Sequence, residues 1–390
     1  MTHFTDFHKH SPITTYEENT SAQQQASDKT NQTLVFSEWQ LMQNEYDSNE
    51  GDMSWESYDT EEDSDTETDS ETEIIISGDN QRTLHKGSED LTATDPQNGE
   101  IFFVAQGGQS LLFDEKTAVE LEVCGGNIYA LLMGKEQPYY LVGHDQDKLH
   151  YYRVGSKIDF VKDAEGECIF QLGKSVSGFV FSLVISYFLG DDDISNVVAV
   201  DRNGRLQVVR LDPEFCFSPY FLDTTYNNQA KILEELNFLY RLNAQDCPNS
   251  GKLKELALQE TGLDFFSNCF VNHKLFTNAH CLSLLTSSCK NQELLAALKK
   301  IIETPFQSYE QIVEKTITSV ATCERIKEAL KIRLTMFKQA YIEIQKRLIT
   351  HENNVVFSSQ RLFMFHANTS NSQANYESSR EYLENQYITR

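Results

Sequence analysis

FLGDDDISNVVAVDRNGRLQVVRLDPEF, residues 188–215, decides how the rest of the chain is read. The apolar run from Val176 to Leu189 stops at Gly190, a residue suited to the left-handed backbone at a helix end. Three aspartates follow, Asp191, Asp192 and Asp193, and Asn196 comes five residues after Asp191. VVAVD and LQVVRLD then flank Asn203-Gly204, a strong hairpin signal between two β-prone runs. The stretch therefore reads as a buried helix, an acidic loop and a tight hairpin whose second strand ends at Asp212.

Phosphoryl transfer needs such a layout. One carboxylate must orient or deprotonate the attacking hydroxyl. An Asn oxygen and a second carboxylate must hold Mg²⁺ against the phosphates. A hairpin between the Asn and the second Asp returns both to one cleft. D-x-x-x-x-N followed by a strand-terminal Asp is also the catalytic-loop pattern of kinases. Read without its surroundings, the same segment is an acidic loop that caps a helix and leads into a surface hairpin.

Working outward, LTATD and IFFVA flank Pro-Gln-Asn-Gly and predict a β-hairpin within 84–112. Residues 114–134 read as a helix, with Leu121, Cys124, Ile128, Leu131 and Leu132 on one face and Gly134 at its end. Gly125 and Gly126 argue against that helix. PYYLVG (138–143) and LHYYR (149–153) predict a second strand pair, 173–189 a buried helix, and 228–350 a helical region. Strands segregated from helices give an α+β class rather than a doubly wound sheet.

In this order the chain resembles kinase-like proteins related to HipA-type toxin kinases and phosphoinositide-kinase-like folds, in the version found among type IV-secreted effectors of intracellular bacterial pathogens. Residues 85–105 resemble their ATP-covering hairpin, 116–134 their αC-like helix, and 293–315 part of their helical tail. The resemblance implies a two-lobed protein-kinase-like fold: a disordered acidic head over 1–83, a β-rich N-lobe over 84–160, a helical C-lobe over 161–350 and a tail over 351–390. It implies ATP and Mg as ligands and a host protein or lipid as acceptor. Asp191 would then be the catalytic base, Asn196 and Asp212 the metal ligands, and Glu122 the partner of a strand lysine that contacts the phosphates.

That lysine is missing. Ala105 stands in its place, and Lys116 and Lys135 lie on or beyond the helix. Loss of one such electrostatic contact commonly costs ~10²–10³ in rate. Asp193 sits only three residues before Asn196, and Pro213 follows Asp212 where kinases carry Phe-Gly. Two readings stay open: a phosphotransferase, or a catalytically inactive pseudokinase that binds a host partner.

The charge divides the chain. Residues 1–97 carry 23 Asp and Glu against 4 Lys and Arg, a net of −19; residues 98–390 carry 36 against 29, a net of −7. A head so acidic and so poor in apolar residues is expected to stay disordered. The balance argues against nucleic acid as a partner, because binding there depends on Lys and Arg displacing counterions. Ile74, Ile75 and Ile76 follow SDTETDSETE, and an aliphatic run beside acids resembles a SUMO-interacting motif that adds a strand to a partner's sheet. The simpler expectation is that these isoleucines start the folded body.

No signal peptide and no transmembrane segment is legible; localisation in the host cytoplasm after secretion is implied by the resemblance alone. The C-terminal SSREYLENQYITR (378–390) resembles a type IV secretion signal or a frayed end. The eight cysteines show no zinc spacing and read as reduced thiols. A cysteine hydrolase built on His280-Cys281 is disfavoured, since neighbours on a helix diverge by about 100°. Residues 323–350 carry Ile326, Leu330, Leu334, Phe337 and Tyr341 at amphipathic spacing, which predicts packing onto the helical part ahead of a membrane surface.

Overall fold

The computed structural model describes residues 72–76, 82–86, 91–107, 113–134, 136–161, 166–172, 174–211, 213, 216–217, 219–223, 226–260, 262–287 and 289–367. Residues 1–71, which hold most of the acidic head, and 368–390, which hold the C-terminal segment 378–390, lie outside the described residues.

Six strands form a closed barrel: β1 (Thr72–Ile76), β2 (Arg82–Lys86), β3 (Thr92–Thr94), β4 (Ile101–Gln106), β5 (Tyr140–His144) and β6 (Tyr151–Ser156), in the order β1-β2-β3-β4-β6-β5. Period-2 alternation turns Ile74, Ile76, Leu84, Ala93, Phe102, Val104, Tyr152 and Val154 into its core. The body thus begins at β1, not at residue 84. β1 is bonded along its length to β2 and, at Ile75 and Ile76, to β5. Ile74 and Ile76 are buried, so these isoleucines belong to the fold and offer no strand to a partner such as SUMO.

Helix α1 (Glu115–Met133) follows β4, with Asp114 accepting the Thr117 amide at its start. Its two glycines have a packing reason. A Cβ at Gly126 would lie 2.3 Å from the Tyr140 ring, and one at Gly125 would lie 2.5 Å from Cys216 Sγ. The glycines let α1 press onto β5 and onto the segment after Asp212.

The second part is built around α2 (Phe179–Leu189), every residue of which but Phe181 is buried. The sequence placed this helix from 173. Instead Val176–Ser177 forms β7, pairing parallel to β9 (Arg205–Arg210), because Gly178 at φ 79° breaks the path before the helix begins. β8 (Val197–Arg202) and β9 make the expected hairpin, with Asn203 and Gly204 at φ 55° and 82°. Around α2 stand α3 (Gln229–Arg241), α4 (Ser250–Gln259), α5 (Phe265–Asn272), α6 (Ala279–Thr286), α7 (Lys290–Glu303), α8 (Phe306–Thr316) and the long α9 (Val320–Ala367). Ile326, Leu330 and Phe337 of α9 are buried in this core, so its apolar stripe is packing surface. Cys281 is likewise core. Among the described residues no helix is long and apolar enough to cross a membrane.

Several helix ends are capped from a distance by charged side chains, which suit the orphan groups and the dipole there. Glu293 of α7 accepts the amides of Gly178, Val180 and Phe181 at the start of α2 (2.8, 3.0 and 3.3 Å). Glu235 of α3 does the same for Asp264, Phe265 and Phe266 at the start of α5 (2.6, 2.8 and 3.1 Å). Lys290 donates to the carbonyls of Tyr240 and Leu242 at the end of α3. Glu120 of α1 accepts the amide and hydroxyl of Thr318 ahead of α9. The body is therefore α+β, with a β-barrel part, a helical C-terminal part and a separate core for each.

Candidate active site

The three aspartates after α2 have three different fates. Asp191 is fully buried. Arg210 of β9 grips it with two parallel bonds, Nε to Oδ2 and Nη2 to Oδ1, both 3.0 Å. The Tyr129 hydroxyl of α1 donates to Oδ2 at 2.7 Å, and the Ser186 hydroxyl lies 2.7 Å from that of Tyr129. Gln137 fixes Arg210 in turn, accepting its amide at 3.0 Å and donating to its carbonyl. Burial pulls the guanidinium's pKa down, but the charge of Asp191 pushes it further up, so Arg210 stays charged. A general base must reach the proton it takes. Asp191, expected as that base, is instead half of a buried ion pair tying α1 to the hairpin.

Asp192 is also buried, 3% exposed, and among the described residues neither carboxylate oxygen has a hydrogen-bond partner. Burial, and then the charge of Asp191, pushes its pKa up to about 8. Its folded pKa thus exceeds the ordinary 3.8, and the fold takes up a proton there. That contribution to stability is whole below about pH 4 and is lost as pH rises through about 8. Asp192→Asn is therefore expected to be more stable than wild type at pH 8.5, by on the order of a few kcal/mol, and to show a much smaller difference at pH 5. Urea unfolding at the two pH values checks this.

Asp193 is the carboxylate within reach of solvent, its side chain 20% exposed. Oδ1 accepts the Ser195 hydroxyl at 2.5 Å and the Ser195 amide at 3.2 Å, and Oδ2 accepts Asn196 Nδ2 at 2.6 Å. His273 Nδ1 lies 3.9 Å from Oδ1. With its Nδ2 turned to Asp193, Asn196 keeps an amide oxygen for another ligand. Asp193 and Asn196 together are hard oxygen donors, and a Mg²⁺ ion that keeps several waters needs few more. Among the described residues no three His, Cys, Asp or Glu side chains gather into a metal site. Asp212, expected as the second metal carboxylate, lies outside the described residues. Its predecessor Leu211 donates its amide to the Asn196 carbonyl at 3.1 Å, so the hairpin does bring its two ends together.

Glu122 sits on the face of α1 toward the sheet, 7% exposed. The sequence left it without its strand lysine. The structure gives it an arginine: Arg153 Nη1 of β6 lies 3.5 Å from Glu122 Oε2. Arg153 stands opposite Ala105 in the β4–β6 ladder. Its guanidinium lies over the Tyr140 ring, 5.7 Å from the centroid. Tyr140 is clamped to α1 through its backbone, which exchanges hydrogen bonds of 2.9 and 2.8 Å with the Asn127 side chain. Its hydroxyl donates to the Leu211 carbonyl. A continuous run of contacts thus leads from Glu122 and Arg153 through Tyr140 and Leu211 to Asn196 and Asp193.

Sequence reasoning missed Arg153, Arg210, Tyr129, Tyr140 and Asp193. Alternation offered one signal: in LHYYR, the arginine falls on the face opposite the core residues Tyr152 and Val154. Arg210, a cation ending an apolar strand beside three aspartates, offered another. Cys124, on the apolar face of α1, is buried, and that burial pushes its thiol pKa up, as suits a core residue.

No protein-family model matches the chain, and no curated protein does. Among solved structures it is similar to a proinflammatory kinase, CtkA, of Helicobacter pylori; the match has 14% identity, covers 70% of this chain and 96% of that one, and has a TM-score of 0.37.

Proposed function

We propose that the chain is a kinase-like, Mg²⁺- and ATP-dependent phosphotransferase whose acceptor is a host protein or lipid. One observation carries this reading: the Glu122–Arg153 pair, the Asn196 loop and the strand end before Asp212 lie on one unbroken run of contacts. That arrangement couples a cation, through Tyr140 and Leu211, to the loop that carries oxygen donors, and stabilising a phosphoryl group requires both kinds of group. Asp193 takes the base's place, being the aspartate of the three with solvent access. Asn196 would hold the metal, joined by Asp212, and the metal would neutralise charge on the phosphates. The effector role inside a host cell rests on the sequence resemblance alone.

A second reading is favoured by the burial of Asp191 and by Ala105: a pseudokinase that keeps the architecture for partner binding. Calorimetry of the full chain with Mg²⁺-ATP separates the two. Wild type is expected to bind at micromolar to sub-millimolar nucleotide. Asn196→Ala is expected to weaken that binding in Mg²⁺ but not in EDTA, and Asp193→Ala to lower transfer by ~10²–10³. Wild type silent at millimolar nucleotide leaves the pseudokinase reading standing.

A further inference from the structure

We propose that Arg153 takes over the work of the strand lysine absent at position 105 and holds the phosphates of the bound nucleotide. This rests on the kinase-like reading of the site and names the residue that would make it competent.

Register is the first argument. Residues directly opposite in an antiparallel ladder share a face, with Cβ atoms about 4.5–5.5 Å apart. Arg153 is directly opposite Ala105. Phe102, Val104, Tyr152 and Val154 turn into the barrel, so Ala105 and Arg153 share the outer face, which α1 covers in part. The cation has moved one strand sideways and has kept its face.

Complementarity is the second. A lysine at 105 beside Arg153 would set two like charges across the ladder, which is destabilising. Alanine there removes the repulsion and leaves room for the longer side chain. The two substitutions relative to the expected pattern, Ala at 105 and Arg at 153, thus account for each other.

The third argument is the partner. Burying a carboxylate and a guanidinium is costly unless the geometry is good. Glu122 and Arg153 have side chains only 9% and 10% exposed, and they pair at 3.5 Å. A guanidinium carries five N–H donors in a fork that suits phosphate. The ring of Tyr140 beneath it, tied to Leu211, sets that fork on the side of the Asn196 loop. A helix glutamate steering a strand cation toward a metal-binding loop is the arrangement that phosphoryl transfer uses.

The test is binding of Mg²⁺-ATP and of adenosine to the full chain by calorimetry. Arg153→Met is expected to raise the Kd for ATP by ~10–100-fold, the scale of one charged hydrogen bond, and to leave adenosine unchanged. Ala105→Lys in the Arg153→Met background is expected to recover most of the loss. Equal ATP affinity in wild type and Arg153→Met, with wild type binding well, overturns the role of Arg153 and leaves the kinase-like reading intact. No binding of either ligand to wild type overturns both. Should Arg153→Met melt before it can be measured, the wild-type protein decides. Its Arg153 Nε–Hε resonance, assigned by its loss in Arg153→Lys, is expected to move with ATP and to stay still with adenosine. A resonance unmoved by saturating ATP overturns the proposal.

Discussion

Arg210→Met is expected to lower the unfolding free energy by about 3–5 kcal/mol, the largest loss of any single change at the site. The reason is what it leaves behind. Asp191 is fully buried and already desolvated, and Arg210 supplies two of its three hydrogen bonds. Asp192 follows it directly, also buried, and its carboxylate has no hydrogen-bond partner among the described residues. Without the guanidinium the cavity would hold two neighbouring carboxyls and no compensating cation. The fold can then survive only by protonating Asp191, so the variant's deficit should shrink toward acid and grow toward alkali. Asp191→Asn in the same background removes the orphaned charge and should recover a large part of the loss. Denaturant unfolding of wild type, both single variants and the double variant gives the coupling directly. Additive effects would show that the pair does not act as a unit.

Tyr129 adds a consequence for α1. It reaches Asp191 from the same helix that carries Glu122, two turns earlier. The ion pair that stabilises the hairpin thus also sets the height of the helix bearing the candidate site. This is why the buried aspartate matters to the site although it cannot reach a substrate: it positions, and Asp193 faces out.

The parts legible in the sequence were those governed by local rules. Helix α1 announced itself through Asp114, an apolar face and Gly134, and the structure keeps those bounds. The hairpin β8–β9 was fixed by Asn203-Gly204, because only left-handed backbone closes so short a turn. The strand pair β5–β6 followed from alternation. What failed was whatever depends on contacts far apart in the chain. β7 was read as helix because its Val-Ser looks apolar and helical until β9 is seen beside it. The three isoleucines marked β1 as the start of the body, but the boundary at 84 cut through β2; what makes both strands is a barrel that closes on β5. The site was half legible. D-x-x-x-x-N pointed to the loop that carries the candidate site, but spacing alone could not tell which of three adjacent aspartates is buried. That depends on Arg210, 19 residues on, and on Tyr129, 62 residues back.

Arg333→Met should be the second large loss, about 2–4 kcal/mol, and it tests the way this helical part is capped. Arg333 of α9 is fully buried. It donates Nε to the Phe188 carbonyl at 2.8 Å, Nη2 to the Tyr187 carbonyl and Nη1 to Asn227 Oδ1, and it lies among the rings of Tyr187, Phe221 and Phe337. Two of those acceptors are carbonyls in the last turn of α2, where a cation suits the dipole; that of Tyr187 also accepts the Gly190 amide at 3.2 Å. Glu293 does the converse at the other end of the same helix, so α2 is held between two charges of opposite sign, one fully buried and one half-buried. Each acceptor stranded by the substitution costs about 1–3 kcal/mol. Against that, burial pulls the guanidinium's pKa down to about 10, and removing the charge returns part of its desolvation cost. The Phe188 carbonyl and the Asn227 amide oxygen, stranded by the change, win because methionine fills the space without supplying a donor. Arg333→Lys separates charge from geometry: one ammonium cannot span two carbonyls and Asn227, so it should keep less than half of the stabilisation. A melting shift on the order of 10 °C for Arg333→Met, with Arg333→Lys between it and wild type, is the expected result. Because Phe188 lies three residues before Asp191, both variants should also loosen the aspartate loop, read as faster amide exchange at Asp191 through Asn196 than in the rest of the body.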